Sequence, residues 1–169
     1  MIPAKQNGPG SVRVVEANLS LTAHQEAVVA MIDAYARDPL GDGAPLDDDV
    51  KARLVAGLRA HPTTIVFLAF EADEPVGVAV CFLGFSTFAA RPLINIHDFA
   101  VIPSHRGRGI SRQLLGAIEA KARAIGCCKL TLEVLENNRR ARHVYETFGF
   151  TRYQLQPEAG GALFLSKPL

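Results

Sequence analysis

Residues Asp98 to Ser111 read Asp-Phe-Ala-Val-Ile-Pro-Ser-His-Arg-Gly-Arg-Gly-Ile-Ser, an apolar strand running into a glycine-spaced basic turn that opens a helix. Such a turn suits a phosphate. The first N–H groups of a helix have no intrahelical partner and the helix dipole makes that end positive, so Arg106-Gly-Arg-Gly-Ile presents several backbone donors to a diphosphate. Side chains at Gly107 and Gly109 would hold a bulky anion away from the backbone. Strand-to-helix loops also use glycine simply to turn, and the segment by itself carries both readings. Two common nucleotide motifs are excluded. No acidic residue follows at the distance a dinucleotide turn requires, and Arg108-Gly109 is not followed by the Lys-Ser/Thr of an NTPase loop.

The turn must be positioned by a sheet with helices on it. Residues 1–10 read as a flexible tail and 11–169 as a single domain, beginning with a strand at Val12-Arg-Val-Val-Glu16. Leu21 to Arg37 has helical apolar spacing, with Thr22 as the expected cap, and stops at Asp38-Pro39. A second amphipathic helix runs from Leu46 to Ala60, with Asp47-Asp-Asp49 at its positive end. Thr63 to Phe70 and Val76 to Phe85 form a hairpin across Glu71-Ala-Asp-Glu-Pro75, and Leu93 to Val101 is the strand that feeds the glycine turn. Ile110, Leu114, Leu115, Ile118, Ala122 and Ile125 make one helical stripe closed by Gly126. A strand is expected at Lys129 to Leu135, a helix at Asn138 to Phe148, and strands at Phe150 to Leu155 and Gly161 to Ser166. This order predicts an α/β fold with a mixed, mostly antiparallel sheet of about seven strands flanked by about four helices.

Composition narrows the partners. Eighteen basic against seventeen acidic residues leave a formal charge of +1, so no global field points to nucleic acid or an anionic membrane. Nothing reads as a bilayer span or a signal-peptide core, and the expectation is a cytoplasmic protein. Cys81, Cys127 and Cys128 lack zinc-type spacing and read as buried, reduced thiols; no metal is expected.

The element order and two motifs together resemble the GNAT superfamily of acyl-CoA-dependent N-acetyltransferases. The first motif is Arg106-Gly-Arg-Gly109-Ile-Ser111, matching the family's Arg/Gln-x-x-Gly-x-Gly/Ala turn with Ser111 in place of the final small residue. The second, Asn138-Arg-Arg-Ala141-Arg-His-Val-Tyr145-Glu-Thr-Phe-Gly149-Phe150, meets every position of the family's helix pattern. Phe85-Ser-Thr-Phe88 followed by Ile96-His-Asp98-Phe99 is most similar to the polyamine and thialysine (diamine) branch, which typically has Leu-Glu-Asp there; His97 takes the glutamate's place.

The resemblance implies a GNAT fold and transfer of an acetyl group from acetyl-CoA to a primary amine of a small molecule. It implies that Arg106, Gly107, Arg108, Gly109, Ile110, Ser111 and Arg112 seat the cofactor phosphates, with Asn138 beside them. The backbone of Phe99, Ala100 and Val101 then pairs with the pantetheine amides as an added strand would. Such an amine has a pKa near that of lysine, roughly 10, and must lose a proton before it attacks. His97 and Asp98 are the candidate bases, with an ordered water as the alternative. Strand alternation sends them to opposite faces unless a bulge intervenes. His97, with Asn95 on its face, is favoured, Phe85 and Phe88 are candidate walls of the acceptor pocket, and Tyr145 is the candidate acid for the departing thiolate. An acetyltransferase acting on a peptide or protein amine and a non-catalytic acyl-CoA-binding sensor are the alternatives. A homodimer is left open.

Overall fold

The computed structural model describes residues 11–154, 156, 158 and 160–168, and the expected tail at 1–10 lies outside them. The chain divides into two compact units between Leu132 and Glu133. In the first unit a five-stranded sheet has the order β1 (Val12–Glu16), β2 (Thr64–Glu71), β3 (Glu74–Ser86), β4 (Arg91–Val101), β5 (Leu130–Leu132). The first four strands pair antiparallel, whereas β5 lies parallel to β4. A parallel neighbour needs a crossover, and α3 (Ile110–Ala124) supplies it.

Burial follows from what covers each face. The middle strands β2 and β3 are buried almost continuously, as the unbroken apolar runs Ile65–Phe70 and Val76–Phe82 require. On one face Val66, Leu68, Phe70, Val78 and Val80 pack with Ala27, Val28 and Met31 of α1 (Thr22–Ala36) and Leu58 of α2 (Asp48–Ala60). In α3 the stripe Ile110, Leu114, Leu115, Ile118 and Ala122 is buried, while Ile125 falls beyond the helix and is exposed. Thr22 is the first residue of α1 rather than its cap, and Leu21 stands at the cap position with no side-chain bond. The turn before the helix is instead held by Asn18, whose N–H donates to His24 Nδ1 at 2.9 Å and whose side chain accepts from Ser20 N–H.

The second unit contains one helix among its described residues, α4 (Arg139–Phe148). Asn138 caps it, its side-chain oxygen accepting from Ala141 N–H at 3.1 Å. Gly149 ends it with φ 111°, a left-handed turn that brings Phe150 N–H to the Tyr145 carbonyl at 2.9 Å and the Phe150 ring to 5.8 Å from Tyr145. The Tyr-x-x-x-Gly-Phe spacing is thus a helix stop with its own hydrophobic contact.

The sheet has five strands where about seven were expected. Of the run Lys129 to Leu135, Leu130–Leu132 forms the ladder with β4, and the Lys129 carbonyl accepts from Ile94 N–H at 3.3 Å. Of the two final strands, the described residues form a single bridge, Gln154 with Gly161, and Leu163, Phe164 and Leu165 are exposed. An alternating pattern makes a strand only where a second edge receives its ladder. Cys81 is buried as expected, but Cys127 and Cys128 are only half-buried; all three are free thiols.

Leu68 is fully buried between both neighbouring strands and both covering helices. Replacing it with Ala is expected to lower unfolding free energy by about 2–5 kcal/mol, read as a shift in denaturation midpoint at unchanged slope.

Candidate active site

The site is organised by one unmatched residue. Along the β3–β4 ladder Val80 faces Asp98, but the next residue, Cys81, faces Ile96. His97 is therefore a bulge, and the alternation of β4 resets across it. Directly opposed residues share a face, so Asn95, opposite Phe82, and Asp98, opposite Val80, lie on the face that α1 and α2 cover. Unbroken alternation would have paired Asn95 with His97 and sent Asp98 to the other side. His97 is exposed and its ring meets Phe82 edge-on at 5.3 Å, so it too stands on this side of the sheet. The bulge is the condition under which both candidate bases reach one place.

Their surroundings differ. Burial pushes the Asp98 carboxyl up from the ordinary carboxylate range, opposed by the charge of His97. Asp98 in turn acts on two neighbours. The Cys81 thiol is pushed up to about 12, first by burial and then by Asp98. Tyr35, near the end of α1, is raised by burial and then by Asp98, Asp38 and Asp42. Tyr35 was not singled out in the sequence, because its helical spacing reads only as amphipathic. Asn95 donates to Thr131 Oγ1 of β5 at 3.2 Å.

Beyond the bulge, β4 runs on through the half-buried Phe99 and Ala100 to the buried Val101, while its ladder with β5 stops at Ile96 opposite Leu132. A short 3-10 turn, Pro103–His105, then delivers the glycine turn. Gly107 and Gly109 have φ of 76° and 78°, left-handed values that cost other residues roughly 1–2 kcal/mol. A Cβ at either position would meet nothing within 4 Å, so the approach to the backbone is open. Gly109 stands at the cap position of α3 with no side-chain bond, and the first turn of the helix carries no acidic residue. The donors there, from Ile110, Ser111 and Arg112, are left for a ligand. Ile110 contributes only its backbone, for its side chain is buried in the core.

The basic side chains of the turn point elsewhere than the glycines' open side would require. Arg106 donates from Nε to the Val101 carbonyl at 2.9 Å and from its terminal nitrogen to Asp38 at 2.5 Å. Arg108 grips both oxygens of Glu71, and His105 Nε2 lies 3.0 Å from the same carboxylate. Asp38 and Glu71, 68 and 37 residues away in the chain from their arginines, carried no signal in the sequence beyond marking a helix stop and a hairpin turn.

Four candidates remain: Phe85, Phe88, Asn138 and Tyr145. Phe85 and Phe88 sit at the β3–β4 hairpin end, 63% and 101% exposed, so neither is core. Asn138 and Tyr145 belong to the second unit, Asn138 as the cap of α4 and Tyr145 as its buried aromatic. Among the described residues no cluster of His, Cys, Asp or Glu could hold a metal ion.

β4, with its mid-strand bulge, thus feeds a glycine turn that opens the crossover helix α3 of an α/β domain. The profile of the Acetyltransferase (GNAT) family matches residues 26–150, and the chain belongs to that family. It is 42% identical over 55 residues to the uncharacterized N-acetyltransferase YycN of Bacillus subtilis, covering 32% of this chain and 35% of that one. It is 26% identical over 133 residues to the thialysine N-epsilon-acetyltransferase of Caenorhabditis elegans, covering 75% and 77%. The chain thus spans about a third of the length of one relative and three quarters of the other. Among solved structures it is similar in fold to AAC(6')-Iy in complex with the bisubstrate analog CoA-S-monomethyl-acetylneamine, with a TM-score of 0.72, 17% identity, and 95% and 100% of the two chains covered.

Because the folded chain holds the Asp98 carboxyl up, Asp98 favours folding most below the unfolded carboxylate value, roughly 3.9, and that contribution is lost as pH rises through the higher folded value. Asp98→Asn is accordingly expected to gain stability relative to the parent as pH rises above the unfolded carboxylate value, measured by denaturation at a series of pH values. A difference that stays flat with pH contradicts the assignment.

Proposed function

We propose that this protein transfers an acetyl group from acetyl-CoA to a primary amine of a small molecule, of the polyamine, diamine or amino-acid type. The single observation that carries the reading is the opening of α3: an uncapped helix start with two left-handed glycines and open space above them, at the end of β4. The backbone donors of residues 107–112 hold the cofactor's pyrophosphate, with the motif's Asn138 as a further contact. Beyond Ile96, where β5 leaves the ladder, residues 99–101 of β4 pair with the pantetheine amides as a strand would.

The chemistry is direct transfer. The amine reaches the site protonated, and His97 or Asp98, by itself or through a water, takes one proton. The neutral nitrogen attacks the acetyl carbonyl carbon and a C–N bond forms; the nitrogen, now positively charged, gives its second proton to water, and the tetrahedral intermediate collapses with cleavage of the C–S bond. The leaving thiolate takes a proton, for which the family pattern assigns Tyr145. Asp98 supports base work in a second way, since its raised pKa lies nearer to neutral pH than that of an exposed carboxylate. Asn95, on the same face as Asp98, contacts the acceptor, as do the exposed rings of Phe85 and Phe88. The relative named as a thialysine acetyltransferase supports an amine acceptor of this kind. A cytoplasmic location and a homodimer go with the reading, tested by cell fractionation and by light scattering.

Calorimetric titration with acetyl-CoA is expected to show binding, and an amine panel read by thiol release is expected to show turnover. No binding at millimolar acetyl-CoA rejects the proposal. Gly109→Val puts a β-branched side chain at a left-handed φ of 78° in the open space over the turn, and is expected to weaken acetyl-CoA binding ten- to a hundredfold, on the order of 1.5–3 kcal/mol. Tyr145→Phe is expected to lower kcat by about 10²–10⁴ with acetyl-CoA affinity retained, and unchanged kcat would remove Tyr145 from the mechanism.

A further inference from the structure

Three basic side chains follow one another through the glycine turn, and each is tied back to the body of the first unit. Arg106 is held by Asp38 and the Val101 carbonyl. His105 and Arg108, on either side of Arg106-Gly107, both end on the carboxylate of Glu71. Ser104 Oγ lies 2.9 Å from His105 Nδ1 and extends the chain of bonds back to the start of the turn. Glu71 is itself well anchored: it closes β2, opposite Val12 of β1 and Glu74 of β3. One carboxylate on a rigid strand therefore spans the segment from Ser104 to Arg108.

We propose that Glu71 is the positioning residue of the coenzyme turn, fixing Gly107 and Gly109 so that the backbone N–H groups opening α3 converge on the phosphates. Arg108 then acts through Glu71 as a strut and not as a direct phosphate ligand. This inference rests on the acetyl-CoA reading for its ligand and on the free protein for its geometry. A bidentate guanidinium–carboxylate pair fixes angle as well as distance, which a single point charge does not. The same two donors hold the Glu71 carboxyl below the usual carboxylate range, Arg108 most strongly and His105 next. A turn with two left-handed glycines needs such bracing, because glycine by itself leaves the backbone many conformations.

The experiment is a double-mutant cycle of Glu71→Gln, Arg108→Gln and the pair, read by the KM for acetyl-CoA and by amide hydrogen exchange without ligand. Each single variant is expected to raise KM for acetyl-CoA about ten- to a hundredfold with kcat retained, and the double variant to be no worse than either. In the free protein, Glu71→Gln is expected to speed exchange at the amides of residues 107–111 while the amides of β2 and β3 keep their protection. Tighter acetyl-CoA binding in Glu71→Gln, or additive losses in the double variant, would make Arg108 a phosphate ligand that Glu71 restrains, and would overturn the proposal. Unchanged exchange at residues 107–111 would overturn it as well. If the parent protein fails to bind acetyl-CoA the functional reading falls, while the exchange result still decides the role of Glu71.

Discussion

A β-ladder tolerates one residue too many only by bulging, and in this protein the extra residue is His97 of β4. The placement of His97 and Asp98 on one side of the sheet depends on that mismatch. Before it, β4 alternates so that Ile94 and Ile96 are buried on one face; after it, the phase is shifted and Asp98 stands opposite Val80, where simple alternation would have put His97. The shift costs a ladder partner and leaves a carboxyl partly out of water. The surrounding sheet, buried through Val66–Phe70 and Val76–Cys81, is what keeps the strand from sliding back into register. An acid held above its usual range beside an exposed imidazole is then a standing property of the fold.

The other end of β4 works on an opposite electrostatic principle. Anion sites are often pictured as basic side chains reaching outward, yet here Arg106 and Arg108 are turned onto Asp38 and Glu71. The positive end of α3 is the helix start itself, oriented dipoles and N–H groups without an intrahelical acceptor, with no acidic residue in the helix's first turn. Pinning the arginines lowers the entropy cost of presenting that surface, since the long side chains are already immobile and the backbone is already turned. Two acidic residues on different elements, one after α1 and one closing β2, brace a turn that neither adjoins in sequence.

Legibility in the sequence followed the range of the interaction involved. The amphipathic stripes of α1, α2 and α3, the apolar runs of β2 and β3, and the glycine turn were all readable, because each is dictated by local spacing. The cap at Asn138 and the stop at Gly149 were readable for the same reason. The last two expected strands were not, for pattern shows which side of a strand is greasy and says nothing about whether a neighbour's edge is available. Tyr35, Asp38 and Glu71 were missed because their partners, Asp98, Arg106 and Arg108, come from strands and turns tens of residues away.

By itself, then, the sequence determined the family of fold, the glycine turn at the start of α3 and the helix that carries Asn138 to Gly149, since backbone conformation and side-chain periodicity are local quantities. Only the tertiary structure decided that Asp98 is half-buried and His97 exposed, that both stand on one side of the sheet, and that the turn's arginines pair with Asp38 and Glu71. Those depend on register between strands and on charges meeting across the fold. A residue's neighbours along the chain say little about either, because a single unmatched position exchanges the two faces of everything that follows it.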